Sequence, residues 1–596
     1  MADKYEQVIE LAKRRGFLWG SFELYGGTAG FYDYGPLGAM LKRRVENIWR
    51  DIFVINEGYY EIESPTIGIE DIFIASGHVG GFSDPLTECQ KCNEAFRADH
   101  LVKDVVDNPD TLSADELSRV IGKNNVKCPE CGGRLGKVYE FNLMFKTSIG
   151  PGGKRAGYLR PETAQGMFVD FPRLLKFYRD RLPFGATQIG KAYRNEISPR
   201  QGVIRLREFT QAEAEIFIDP RDKTHPKFKE VADIVLNLFS QEMQSYFHES
   251  GTTGEGSDVQ KTGFEKMSIG EAVKNKVIAH EFLGYCLALT YQFLLRVGVS
   301  KEKLRFRQHM KDEMAHYAAD CWDAEILSER FGWVEVVGIA DRTDYDLKAH
   351  AKQSETELTV YIPYDEPKKV ERFAVKPNMG ILGPKFKGKA GKISNALKLL
   401  KPEDLTGDTI DLIIDGETIS LEKEAVTFET VTEELHGENI IPHVIEPSFG
   451  IDRITYSLLE HSYFEEKAVE KGEEDEMRIV LRLPAEVAPI QAAVLPLLTR
   501  EELIKPANEI VKMLRKAGIL VAFDDSGTIG RRYRRNDEIG TPYSITVDYQ
   551  TLEDGTVTIR DRDSMKQVRA IMAELAGNIF DMIYRGKSFE DAGIKV

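Results

Sequence analysis

The 596-residue chain lacks any uninterrupted apolar run near the roughly 18 residues needed to cross a membrane as a helix. Its opening residues, MADKYEQVIELAKRRGF, form a charged amphipathic helix without the apolar centre of a secretory signal. A cytoplasmic protein with no membrane partner is therefore expected. Cysteine is scarce, with six residues in all, and in a cytoplasmic chain they do not read as disulfides. An excess of positive charge is missing as well: 79 Lys and Arg face 96 Asp and Glu, a net charge of −17. That balance excludes a generic nucleic-acid coat but not binding along a local basic track. Arg531, Arg532, Arg534 and Arg535 form one such track. Internal repeats and extended low-complexity tracts are absent. The 42% hydrophobic content is ordinary for a globular protein, and the length implies about three to five domains.

What is present begins with four of the six cysteines. Cys89-x-x-Cys92 and Cys128-Pro-Glu-Cys131 are two knuckles of the kind that hold tetrahedral Zn²⁺ through four thiolates. Glycines follow the second knuckle and let backbone amides turn toward the sulfurs. The spacer is long for a zinc ribbon, so a ribbon with an inserted helix is expected. Its zinc would be structural, because four protein ligands leave no open position. Cys286 and Cys321 fall in apolar helical contexts and read as core thiols.

The richest stretch is GKAYRNEISPRQGVIRLREFTQAEAE, Gly190 to Glu215. A strand ends in Arg194, Asn195 and Glu196, a turn-rich loop follows, and a second strand returns through Arg205, Arg207, Glu208 and Phe209. Arg suits phosphate, Glu an adenine amine, and Phe a stacked base, so the hairpin fits a nucleoside triphosphate. A second signal is EPSFGIDRITYSLLEH from Glu446. A tight turn at Pro447, Ser448 and Gly450 leads into a helix from Ile451 to Leu459. Arg453 stands in its first turn beside Asp452, where an arginine makes sense against a polyanion or a purine face.

These two segments resemble motifs 2 and 3 of the class II aminoacyl-tRNA synthetases, in the right order. YGGTAGFYDYGPLGAMLKRRVENIWRDIFV with YYEIESPTI has the layout of motif 1, the helix–strand element through which that class dimerises. FYDYGPLG, RPETAQG, RFRQHMKDEMAHYAADCWD and ADRTDYDL resemble the glycyl-tRNA synthetases of the single-chain, archaeal and eukaryotic type, and the likeness spans nearly the whole chain. Lys266-Met267-Ser268-Ile269-Gly270 looks like the start of a class I loop, but the partner motif of that class is missing.

The resemblance implies an α+β protein: an antiparallel-sheet catalytic domain with insertions, plus a C-terminal α/β anticodon-binding domain. The expected boundaries are 1–86 (motif 1), 87–138 (zinc-ribbon-like insertion), 139–218 (motif 2), 219–322 (helical insertion) and 323–346 (core strand). They continue with 347–441 (β-rich insertion), 442–476 (motif 3 and linker) and 477–596 (anticodon-binding domain, largely parallel, ending in a helix from residue 564). Residues 477–484, MRIVLRLP, read as its first strand.

It further implies ATP-dependent attachment of glycine to tRNA(Gly) through glycyl-adenylate, in a homodimer that uses Mg²⁺. Arg194 would be catalytic, bridging the α-phosphate and the glycine carboxylate. The ATP site would be Arg194, Asn195, Glu196, Ile204 to Phe209 (with Arg205, Leu206, Arg207 and Glu208), Glu335 and Val336, and Gly450, Ile451, Asp452 and Arg453. The glycine site would be Arg97, Glu162, Phe209, Thr210, Gln211, Ala212, Glu213, Glu446, Pro447, Ser448, Phe449 and Gly450. Glu162, Glu213 and Glu446 would receive the ammonium. Two other readings stay open: a non-catalytic nucleic-acid-binding descendant, and a class II enzyme for another small amino acid.

Overall fold

The computed structural model describes residues 3–106, 108–199, 202–249, 264–314, 318–397, 400, 409–414, 416–467 and 477–596. Arg200 and Gln201 of the hairpin turn, the polar break from residue 250 to 258 and the linker from 468 to 476 lie outside the described residues. Two compact units separate: Met1–Leu358 with Pro442–Val596, and Thr359–Ile441.

The first unit is built on a nine-stranded sheet. In chain order its strands are β1 (Tyr60–Glu61), β2 (Phe184–Tyr193), β3 (Glu208–Ile218), β4 (Val235–Phe239), β5 (Glu265–Ser268), β6 (Leu304–Gln308), β7 (Asp320–Ser328), β8 (Gly332–Thr343) and β9 (His443–Gly450). They are arranged β5-β4-β6-β7-β8-β9-β3-β2-β1. All pairs are antiparallel except β2 with β1 and β4 with β6.

Side chains alternate across a strand, so each strand divides its residues between two layers. On β3, Ala212, Ala214, Ile216 and Ile218 are fully buried on one face. Ala212 is registered with Phe449 of β9, and Phe449 with Val337 of β8, so these three share that face. Three helices cover it: α1 (Pro36–Arg50), α2 (Glu281–Val297) and α3 (Ile451–Ser462). Phe449 packs edge-on to Trp49, Phe53 and Phe293, with ring centroids 5.2–5.9 Å apart. Glu213 and Glu215 take the opposite face.

The structure revises several expectations of architecture. The stretch 219–322 is not only helical, because it supplies β4, β5 and β6 to the main sheet. Those strands are only four or five residues long, so the 17-residue α2 dominates the pattern of the stretch. The class I-like Lys266 to Ser268 is part of β5, paired with β4. The boundary at 347 falls inside the helix Tyr345–Ser354. Thr359–Ile441 is a unit with its own small core of Val375, Leu382, Ile393, Leu397, Ile410, Leu412 and Leu421. It is formed by a long antiparallel strand pair (Val360–Pro377 with Val426–Ile440) and, between those strands in the chain, the helices Met379–Phe386 and Ala390–Leu397 and the hairpin of Thr409–Ile414 with Glu417–Glu422.

The C-terminal sheet has β10 (Ala492–Pro496), β11 (Val521–Phe523), β12 (Tyr543–Val547), β13 (Thr556–Asp561), β14 (Gln567–Ile571) and β15 (Ile594–Lys595), in the order β11-β10-β12-β13-β14-β15. Only the first three run parallel. The final helix begins at Leu575, because Gln567–Ile571 pairs as a strand. The strand Met477–Leu481 pairs with Tyr463–Lys467, directly after α3, and stays out of the C-terminal sheet.

Truncating Phe449 to Ala removes a fully buried ring from the centre of the helix-covered face. The expected loss is about 3–5 kcal/mol, measured as a lowered urea midpoint for the unit that holds the main sheet. A loss below about 1 kcal/mol would mean that this face is not its core.

Candidate active site

The hairpin β2–β3 and the start of α3 converge on a cleft of about 110 Å³. Its lining includes Arg194, Glu196, Ile204, Arg205, Leu206 and Phe209 from the hairpin, Glu335 and Val336 from β8, and Gly450, Asp452 and Arg453 from the α3 junction. Arg194 follows the last residue of β2, and its guanidinium carbon lies 5.4 Å from the rings of both Phe82 and Phe209. Both rings are within cation–π range of the guanidinium, and Arg194 Nε donates to the Pro161 carbonyl at 3.4 Å. Arg205 Nε is 3.1 Å from Glu196 Oε2. Arg453 donates to the Ile204 carbonyl at 3.0 Å and the Glu335 carbonyl at 2.8 Å, which ties the hairpin loop to β8.

Four residues expected around the nucleotide lie elsewhere. Arg207 donates to the carbonyls of Glu196 and Ala29, so it holds the loop rather than a phosphate. Glu208 pairs with Lys191 across the hairpin. The Asn195 N–H is taken by the Leu143 carbonyl. Ile451 is fully buried in the core. Asp452 reaches the cleft, yet its carboxylate is committed beneath it: Lys42 Nζ and Tyr34 Oη donate to Oδ1 at 2.7 and 2.5 Å, and the Thr210 N–H donates to Oδ2 at 2.5 Å. Burial raises its proton affinity, but the Lys42 ammonium outweighs that and holds the carboxyl below its usual range. Lys42 stands on α1, so a buried ion pair joins the motif 1 helix to the first turn of α3.

Beside the cleft, on the same face of the sheet, lies a pocket of carboxylates. Glu213 accepts from the Thr163 N–H at 2.8 Å, from the Thr163 hydroxyl, and from Ser448 Oγ at 2.5 Å. Arg342 reaches Glu446 at 2.8 Å and Asp346 at 2.8 and 2.9 Å. Glu162 accepts from Gln165 at 2.7 Å and has His78 at 3.7 Å. Burial, with the charges of Glu213 and Glu162, raises the Glu446 carboxyl to about 7 against the pull of Arg342. Burial and Glu162 raise Glu213 too, whereas His78, Arg342 and Gln165 overcome burial to hold Glu162 low. Glu215 lies deepest: it is fully buried, neither carboxylate oxygen has a hydrogen-bond partner, and burial together with Glu446 pushes its carboxyl far up.

Of the residues expected to face glycine, Glu162, Glu213, Glu446 and Ser448 gather here, and Phe209, Gln211 and Gly450 line the adjoining cleft. Ala212 and Phe449 face the helices, as register requires, and Pro447, between Glu446 and Ser448 on the strand, shares their side. The Thr210 hydroxyl accepts from Lys42 on that side as well. Arg97 lies outside the cleft, paired with Asp84 at 3.0 Å and Asp99 at 2.6 Å, in a separate hollow with His100 and Lys103.

The description "tRNA synthetase class II core domain (G, H, P, S and T)" matches residues 145–462, and "Anticodon binding domain" matches residues 491–581. Glycine–tRNA ligase of Methanothrix thermoacetophila is 60% identical over 594 residues, covering 100% of both chains. Those of Methanocaldococcus jannaschii and Methanothermobacter thermautotrophicus are 52% and 51% identical, each covering 96% of this chain and 98% of the relative.

The chain belongs to the class II glycine–tRNA ligase family.

Within that family frame, reasoning from the sequence missed Thr163, Glu215, Arg342 and Asp346. A signal existed for the last two: in GWVEVVGIADRTDYDL a charged run follows a buried strand directly, so Arg342 and Asp346 had to be buried with partners. The basic track of the anticodon-binding domain resolves into separate roles. Arg532 is buried, donating to the carbonyls of Pro496, Asp525 and Gly527, while Arg535 pairs with Asp524. Arg531 is the exposed member. The four ribbon thiols lie within 4.8 Å of one another, with Cys89–Cys131 at 3.5 Å and Cys92–Cys128 at 3.6 Å. That spacing fits a tetrahedral ion with sulfur ligands at about 2.3 Å.

Replacing Lys42 by Met leaves Asp452 charged and unpaired in the core. It should cost about 3–5 kcal/mol of stability and raise the ATP KM, because α3 carries Arg453. Adding Asp452→Leu should recover part of the stability. Equal melting curves for the single variant and the parent would remove the ion pair from this role.

Proposed function

We propose the following division of labour for this ATP-dependent glycine–tRNA ligase. In the cleft, Arg194 binds the α-phosphate and the glycine carboxylate together and stabilises the charge that develops as the carboxylate attacks phosphorus and pyrophosphate leaves. The stacking of Arg194 between Phe82 and Phe209 is the observation that carries this reading. It pre-sets the guanidinium, so little reorganisation is needed at the transition state. Phe209 and Arg453 enclose the adenine, Glu196 accepts from its amine, and Arg205 faces the phosphates. Mg²⁺, when bound, neutralises the phosphates. Glu335 at the mouth suits it, since Asp323 beyond is raised to about 6 by burial and by Glu335 and Glu325, a local surplus of negative charge.

Glycine enters with its ammonium toward Glu213, Glu446 and Glu162. The carboxylates are the physical answer to a substrate without a side chain, and Ser448 fixes Glu213 at the rim. Zn²⁺ is held by Cys89, Cys92, Cys128 and Cys131 and stabilises the ribbon. The protein works as a homodimer through the motif 1 element, whose uncovered Ile55 and Tyr60 support that reading. No helix among the described residues is long and apolar enough to cross a membrane, and a cytoplasmic location is proposed.

Three outcomes test the assignment. Arg194→Ala should lower glycine-dependent pyrophosphate exchange by about 10²–10³; a rate within about threefold of the parent would remove Arg194 from catalysis. Glu213→Gln should raise the glycine KM far more than the ATP KM, and equal shifts would place that residue in the nucleotide site.

The third outcome concerns pH. The pocket must be ionised to receive the ammonium, and Glu446 carries its proton up to about pH 7. Glycine binding therefore expels a proton below that pH, and its KM should fall as pH rises, by up to about tenfold per unit, levelling off above. The ATP KM should stay flat. A glycine KM that rises with pH over the same range would contradict the pocket.

A further inference from the structure

Of the two cysteines left over from the ribbon, Cys286 is buried on α2, whereas Cys321 does not sit in a helix. It lies on β7, where Trp322, Ala324 and Ile326 take the helix-covered face. Cys321, Asp323 and Glu325 therefore share the face that carries the amino-acid pocket. β7 pairs with β6 and β8, and His309 follows β6 directly, its N–H donating to the Cys321 carbonyl at 2.9 Å. One ligand atom from each of His309, Cys321 and Asp323 lies within 4.8 Å of the others. His309 Nε2 is 2.8 Å from Asp323 Oδ2, while Nδ1 is buried without a hydrogen-bond partner.

We propose that His309, Cys321 and Asp323 form a second metal site, for a thiophilic divalent cation such as Zn²⁺, on the pocket face of the sheet. A nitrogen, a thiol and a carboxylate make a donor set suited to borderline-soft ions and poorly suited to Mg²⁺. The nearby cation Arg307 is occupied by Glu313 at 2.6 and 2.7 Å. Three protein ligands leave a fourth position open. Gly338, against which Asp323 lies, is registered with Ser448 of the acidic pocket.

The test is a Co²⁺ titration of the full-length protein carrying a single equivalent of zinc, in the ribbon, read by the thiolate-to-cobalt absorption band. The expected result is about one further equivalent of Co²⁺ per chain, with the band absent in Cys321→Ala. The reading is the difference between parent and variant, so it holds whatever the ribbon binds. His309→Ala and Asp323→Asn should weaken Co²⁺ binding by about 10- to 100-fold, with ribbon zinc retained as the control for folding. A band that persists unchanged in Cys321→Ala would overturn the site. So would the lack of any band on the parent, or displacement of the band by millimolar Mg²⁺.

Discussion

Five carboxyl groups, from Glu162, Glu213, Glu215, Glu446 and Asp346, gather inside the protein with only two guanidiniums among them: Arg342, paired with Glu446 and Asp346, and Arg160, whose charge acts on Glu213. That imbalance is the constraint on which the site depends. Like charges this close cannot all ionise in a medium of low dielectric, so the cluster divides into groups that stay charged and groups that hold protons. Glu162 remains ionised against His78 and Arg342, Glu446 titrates near neutrality, and Glu215 stays protonated at the bottom. A small cation entering the pocket relieves the imbalance. The glycine ammonium proposed to bind here would be such a cation.

The rest of the fold serves to hold those carboxylates still. Alternation along β3, β8 and β9 places apolar side chains against α1, α2 and α3 and acids on the other face, so one sheet provides both a dense core and a charged site. The core side fixes strand register, and register fixes the acids: a slip of one residue would exchange Glu213 for Ala212. The buried Lys42–Asp452 pair ties α1 to the start of α3, and Arg453 ties α3 to the hairpin loop and β8. The cleft, the hairpin loop and α1 are thus connected by short polar links through a packed layer.

Much of this was legible in the sequence, and the boundary of legibility is physical. Arg194, Glu196, Phe209 and Arg453 stand out because cations and aromatics beside tight turns are costly without a ligand. The carboxylates at 162, 213 and 446 were found on separate segments only through resemblance, since no local pattern links residues that far apart. The face of a strand was readable in principle, yet whole runs such as Thr210 to Glu213 and Glu446 to Gly450 were assigned together, and alternation splits them. Arg207 and Arg532 show the same limit. An arginine in a basic run reads as a phosphate ligand, but both are spent on carbonyls that the chain could not otherwise satisfy. Glu265–Ser268 left no periodic signal, and Leu304–Gln308, although it alternates Leu304 and Phe306 with arginines, is too short to stand out beside the long apolar helix Glu281–Val297.

Glycine-dependent pyrophosphate exchange, compared with the same exchange driven by alanine, tests the central claim most directly. A pocket that grips only the ammonium and carboxylate, with its walls closed where a Cβ would stand, should activate glycine and reject alanine by roughly 10- to 200-fold or more in kcat/KM. Comparable rates with the two amino acids would mean that the carboxylates do not enclose the substrate, and the assignment of this pocket to glycine would fall.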